Sequence, residues 1–177
     1  VSLVIVEGPD GAGKTTLIRA MAAARGDCVV THHGAHLGEA HIAHHYIFPM
    51  ADAAARPEAV HIMDRSWIAE PIYGAAARRG ADRIGAAMAN ALANLAAALG
   101  AAVVLCLPPL ERCEAAWRSR PEDEYLKREG QLHAVYRGYE EWLGRALQRT
   151  NWPPVLTYDY TADDQDEFIA SVRRVVP

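Results

Sequence analysis

Gly8-Pro9-Asp10-Gly11-Ala12-Gly13-Lys14-Thr15 is the stretch on which the reading of this chain turns. It matches GxxxxGK[ST], in which glycines let consecutive backbone N–H groups turn inward around a polyphosphate. Its surroundings give the pattern its weight. Ser2–Val6 before it is a short, apolar, β-branched run, and Lys14 to Arg25 reads as a helix that stops near Gly26. A helix N-terminus adds its positive dipole end to the same anion site. Strand, glycine turn and helix together predict a nucleoside triphosphate site. Gly8, Asp10, Gly11, Ala12, Gly13, Lys14, Thr15 and Thr16 would wrap the phosphates of ATP. Lys14 would neutralise the β and γ phosphates, and the Thr15 hydroxyl would ligate Mg²⁺.

Further along, apolar runs at Cys28–Thr31, Ala59–Met63, Ala101–Leu107 and Val155–Tyr158 read as strands. Helical stretches fall between them: 35–55 (broken by Pro49), Glu70–Arg79, Asp82–Leu99, a helix opened by Pro108-Pro109, a long one over Asp123–Arg149, and Asp163–Val175. Strands alternating with helices predict an α/β fold, a parallel sheet covered by helices on both faces. Neither an internal repeat nor a low-complexity linker is present, and 177 residues suit a single domain.

Composition excludes several classes. Hydrophobic residues are 51%, with much alanine, and charged residues 23%. That is not the composition of a disordered chain. A net charge of −4 argues against a generally basic nucleic-acid binder. No apolar run approaches the ~18 residues of a membrane span. Val1–Val6 lacks the charged start of a signal peptide. Cys28, Cys106 and Cys113 form no CxxC pair and read as reduced, buried thiols. The expectation is a cytoplasmic protein.

A second site is expected at Asp64-Arg65-Ser66, directly after the third strand. Ligands of parallel α/β sheets gather at the carboxyl ends of strands, so Glu7, Asp64 and Arg65 should meet near the glycine-rich loop. An aspartate there can hold Mg²⁺ through water. An arginine there can grip an anionic acceptor through two hydrogen bonds.

These residues resemble a known family. Glu7-Gly8-Pro9-Asp10-Gly11-Ala12-Gly13-Lys14-Thr15-Thr16 is very close to the EGxDGxGKTT opening of thymidylate kinases. Asp64, Arg65, Tyr73 and Arg78 match that family's DR(Y/H)xxSxxAYQ element and the arginine after it. Ser66, Ala69, Ile72 and Gly74 depart from it, and Cys106 stands where an aspartate is usual. The chain is most similar to the compact thymidylate-kinase-like proteins of bacteriophages. The resemblance implies a three-layer P-loop kinase fold, a five-stranded sheet in the order 2-3-1-4-5, and an arginine-bearing lid at about 112–124. It implies ATP as donor, a nucleoside monophosphate acceptor such as dTMP, host cytoplasm, and a homodimer. Arg65 would bind the acceptor phosphate, Asp64 would organise the metal and Arg65, and Tyr73 and Arg78 would line the acceptor pocket together with Glu7 and Asp10.

The glycine-rich loop carries no arginine, so the catalytic arginines are expected from the lid, with Arg118 and Arg120 first and Arg112 behind them. Arginines there would stabilise the charge spread over the transferring phosphoryl group. The loop around Asp159 and Thr161 packs on adenine in similar kinases. Six of the eight histidines lie between His32 and His45. They read as surface residues, with a polar loop near the acceptor, or zinc on His41 and His45, as alternatives. Phe48 reads as core, with base stacking in the acceptor pocket as its alternative. Tyr125, Leu126, Leu132, Val135, Tyr136, Tyr139, Trp142 and Leu143 form a core-facing helical stripe.

Three functions compete. A monophosphate is already a nucleophile at neutral pH, its second pKa being about 6, and needs arginines more than a base. A nucleoside hydroxyl would need a carboxylate base such as Glu7. Deoxynucleoside kinases also place a glutamate there and carry (E/D)RS, which Asp64-Arg65-Ser66 fits. A nucleotide-binding regulator without an acceptor is the third reading. No N/TKxD element supports a GTPase.

Overall fold

The computed structural model describes residues 2–34, 42–119 and 125–176. The strands are β1 (Ser2–Glu7), β2 (Cys28–His32), β3 (Val60–Asp64), β4 (Ala102–Cys106) and β5 (Val155–Tyr158). The helices are α1 (Lys14–Ala23), α2 (Ile42–Ala55), α3 (Ala69–Ala77), α4 (Gly85–Ala98), α5 (Leu110–Arg118), α6 (Glu129–Ala146) and α7 (Gln165–Val175). All strand pairs are parallel, and the sheet runs β2-β3-β1-β4-β5. This is the order expected.

β1 lies at the centre and is buried along its whole length. Its side chains alternate as a pleated strand requires. Leu3 and Ile5 join Tyr46, Trp67, Leu105, Leu132 and Tyr139 in one core, which α2, α3, α4 and α6 cover. Val4 and Val6 join Leu17, Ile62, Val104, Ile169 and Val172 in the other, under α1 and α7. Each fully buried aliphatic side chain stabilises by about 1.5–3 kcal/mol, so both faces of β1 anchor the domain. The expected stripe on α6 does face inward: Leu132, Val135, Tyr139 and Trp142 are buried.

Two expectations about helices change. Pro49 does not break α2, which runs through it. The hydrogen bond forgone would go to His45, an exposed residue whose carbonyl can turn to water instead. The long helix also begins later than read, at Glu129. Arg128 is extended there, and the Gln131 side-chain oxygen accepts from the backbone N–H of Lys127 (2.9 Å) and Arg128 (3.1 Å), capping the start. The segment 35–41 and the end of the expected lid, residues 120–124 with Arg120 among them, lie outside the described residues.

Candidate active site

β1 ends at Glu7, and the chain turns at once into the glycine-rich loop. Gly8 sits at φ 141°, and a Cβ there would lie 2.3 Å from the Cys106 carbonyl oxygen, so only glycine fits beside β4. Gly13, in the left-handed region, precedes α1 without a side-chain cap. The first N–H groups of α1 are therefore left for an anion. Lys14 is buried, and its Nζ donates to the carbonyls of Gly8 (2.8 Å) and Pro9 (2.7 Å), folding the loop around it. Burial, then the charge of Arg65, lowers the Lys14 pKa to about 8. Thr15 and Thr16 are exposed on the same cleft.

The second anion group comes from β3, which pairs with β1 in the register Val6↔Asp64. Arg65 N donates to Val6 O (2.9 Å) and takes φ 71°, unusual for a residue with a side chain. That turn directs the guanidinium back across the loop. Its Nη2 donates to Asp10 Oδ1, and its central carbon lies 5.0 Å from the centre of the Tyr73 ring. Lys14 and Arg65 thus line one cleft of about 380 Å³, together with Asp10, Asp64, Tyr73 and Arg78.

Beneath Arg65, Ser66 Oγ donates to Glu7 Oε1 (2.6 Å) and Tyr139 Oη donates to Glu7 Oε2 (2.8 Å). Glu7 has no exposed surface, and burial raises its pKa. Both its oxygens already hold a donor, and it does not line the cleft. Asp64 is different. One oxygen accepts from His32 Nδ1 (2.7 Å) if that nitrogen is protonated, while the other, Oδ1, is buried without a hydrogen-bond partner among the described residues. That orphaned oxygen and the Thr15 hydroxyl belong to the same cleft and are hard oxygen donors. The pair fits Mg²⁺.

Sequence reasoning missed the far wall. Glu70, buried on α3, accepts from Tyr46 Oη (2.8 Å), from Arg78 Nη2 (2.8 Å), and from Nε and Nη2 of Arg83 (2.8 Å each). A lone carboxylate within the apolar run Trp67–Tyr73 was the available signal, since such a charge is buried only when paired. His33 also lines this wall, and burial, then the nearby His45 and His32, lowers its pKa to about 4. Gly74 stands where the resemblance has glutamine. A Cβ there would meet the Ala81 carbonyl at 2.5 Å, because the chain after α3 folds back over that place.

Other expected residues fall elsewhere. Phe48 is neither core nor cleft: it is 66% exposed, with its ring against His44. Arg118 points away from the cleft, bound to Glu114 (3.1 Å) and Glu129 (3.0 Å). The capped loop after β5 does lie beside the phosphate loop. Asp159 Oδ1 accepts from Thr161 N (2.8 Å) and Oγ1 (2.7 Å), and Tyr160 packs over Gly13. His41, of the zinc alternative, lies outside the described residues. Cys106 and Cys113 are buried free thiols whose pKa values burial raises to about 12 and about 11, so both stay protonated at neutral pH.

No family model and no curated protein matches the chain. Solved structures do. The YorR protein of Bacillus subtilis, in complex with phosphorylated GDP, superposes with a TM-score of 0.73 at 15% identity, covering 98% of this chain and 95% of that one. The chain has the P-loop nucleoside and nucleotide kinase fold. Deoxyadenosine kinase of M. mycoides shares it, with a TM-score of 0.59 and 14% identity over 97% of this chain and 96% of that one. That structure holds dCMP and a flexible dCDP. The same enzyme with dCTP gives a TM-score of 0.60 at 16% identity, over 97% of this chain and 98% of that one. Among the described residues, no helix is long and apolar enough to cross a membrane.

Proposed function

We propose that the chain is an ATP-dependent phosphotransferase that phosphorylates a (deoxy)nucleoside monophosphate, dTMP among the candidates, in the manner of the thymidylate kinases it resembles. One observation carries the reading: a second guanidinium, Arg65, is held over the phosphate loop by Asp10 and Tyr73, in the same cleft as Lys14. The acceptor phosphate binds Arg65, and the γ-phosphoryl lies at Lys14. An acceptor oxygen attacks the γ-phosphorus in line as the bond to the β-phosphate breaks. The monophosphate is largely dianionic at neutral pH and needs no base. This agrees with the state of Glu7, sealed beneath Ser66 and Tyr139 rather than facing the cleft.

Thr15 and Asp64 would hold Mg²⁺, which supplies charge neutralisation at the donor phosphates. Tyr73 and Arg78 line the acceptor side, and Asp159 and Thr161 the adenine side. Arg118 and Arg120 belong to the lid, and Arg118 must leave Glu114 and Glu129 to reach the transferring group. A homodimer, a cytoplasmic setting and a bacteriophage source complete this reading.

The second reading, a deoxynucleoside kinase, draws on Asp64 Oδ1, which has no hydrogen-bond partner among the described residues and is a carboxylate oxygen able to take a proton from a 5′-hydroxyl. ADP release measured across nucleosides and their monophosphates separates the two. Turnover that needs a monophosphate is expected. Turnover with nucleosides alone would replace the first reading by the second, and ATP binding without acceptor-dependent turnover would overturn both.

A further inference from the structure

Resting on the acceptor reading, we infer that His33 is a specificity-determining residue that hydrogen-bonds the polar edge of the acceptor's nucleobase. His33 directly follows β2 beside the cleft and is only 6% exposed, yet its Nε2 has no hydrogen-bond partner among the described residues. A buried ring nitrogen left unpaired is unfavourable, and a ligand that pairs it removes that cost. The main chain fixes its place, because His33 N donates to Asp64 O (2.9 Å).

The surroundings of that nitrogen specify a flat, polar-edged ligand. The His33 ring lies 5.2 Å from the Tyr46 ring, and Tyr73 and Tyr125 form a second ring pair, 6.2 Å apart, on the same cleft. Aromatic walls suit a planar heterocycle. Glu70 cannot read such a ligand, because it is already filled by Tyr46, Arg78 and Arg83. Glu70 therefore braces the wall, while His33 keeps an unused hydrogen-bonding atom. A site built to pair a polar group discriminates strongly against ligands that lack it.

The test compares an intact deoxynucleoside monophosphate with deoxyribose 5-phosphate, which has the phosphate and sugar but no base. The probes are wild type, His33→Leu and His33→Asn. For wild type, kcat/KM should favour the intact acceptor. In His33→Leu that preference should shrink about tenfold, the factor expected for one lost hydrogen bond. Turnover of deoxyribose 5-phosphate and the KM for ATP should stay within twofold, which also shows that the variant folds. His33→Asn, which keeps a polar group, should recover part of the preference. An equal loss on both acceptors, or an unchanged preference, would overturn the assignment of His33 while leaving the kinase reading intact. Absence of acceptor-dependent turnover in wild type would overturn the kinase reading, and His33 with it.

Discussion

The two sides of this cleft are built from different materials. The phosphate loop is mostly main chain: N–H groups at the start of α1, with Lys14 folded inside. The wall proposed for the acceptor is made of side chains, each held by another. Arg65 rests on Asp10 and Tyr73, Ser66 and Tyr139 on Glu7, and Arg78 and Arg83 on Glu70. A main-chain site is set by a local pattern and tolerates little variation. A side-chain site depends on groups distant in sequence, and its failures should be graded. Substitutions in the two regions should therefore separate donor from acceptor effects.

The largest loss is expected from Lys14→Ala. Removing the charge that meets the transferring phosphoryl should lower kcat by about 10³-fold. A thermal melt should show the fold retained, since a desolvated ammonium is taken out of the interior. Arg65→Ala should fall next, with kcat/KM for the acceptor down about 10²-fold and the KM for ATP within threefold. If both substrates suffer equally, the separation into donor and acceptor regions is wrong.

Tyr139→Phe should act on stability first. It leaves Glu7 Oε2 buried without its donor, at a cost of about 1–3 kcal/mol read from denaturant unfolding. A modest drop in acceptor kcat/KM should follow as the turn carrying Arg65 loosens, with ATP binding unchanged.

The smallest effect is a pH dependence confined to the donor side. Lys14 in the free protein is charged below about pH 8 and neutral above it. The kcat/KM for ATP should thus be flat below that pH and decline as pH rises through it. Stability should move the other way. An unfolded lysine keeps its proton to higher pH than the buried one, so the unfolded chain binds more protons between about pH 8 and pH 10.5, and folding becomes more favourable as pH rises through that window. A decline that also appears in the acceptor's kcat/KM with ATP saturating would locate the titrating group elsewhere.

The same division explains what the sequence disclosed. The alternation of strands and helices, the loop at Gly8–Thr15 and the turn at Asp64-Arg65 follow from short patterns of glycine, charge and β-branched runs, whereas the strand order was implied by the family resemblance. Local patterns carry their own geometry. The Glu70 cluster spans α2, α3 and Arg83 before α4, and no spacing in the chain announces that these elements converge. Phe48 illustrates the opposite error. Its apolar character argued for the interior, yet it falls on the outer face of α2, because Ile42, Tyr46, Met50 and Ala53 claim the inner one. Arg118 was expected from its position to be a lid arginine, but its partners, Glu114 and Glu129, lie on two helices whose packing a linear reading does not supply.

The bond from Tyr139 to Glu7 joins residues 132 positions apart. It makes completion of the Arg65 wall a late event in synthesis. A nascent chain that has emerged only through β4 already contains every residue of the glycine-rich loop and of the Asp64-Arg65 turn. Its buried glutamate, however, still lacks one of two donors until α6 arrives. The first half of the protein therefore carries the loop and the turn, and the second half closes the wall behind them.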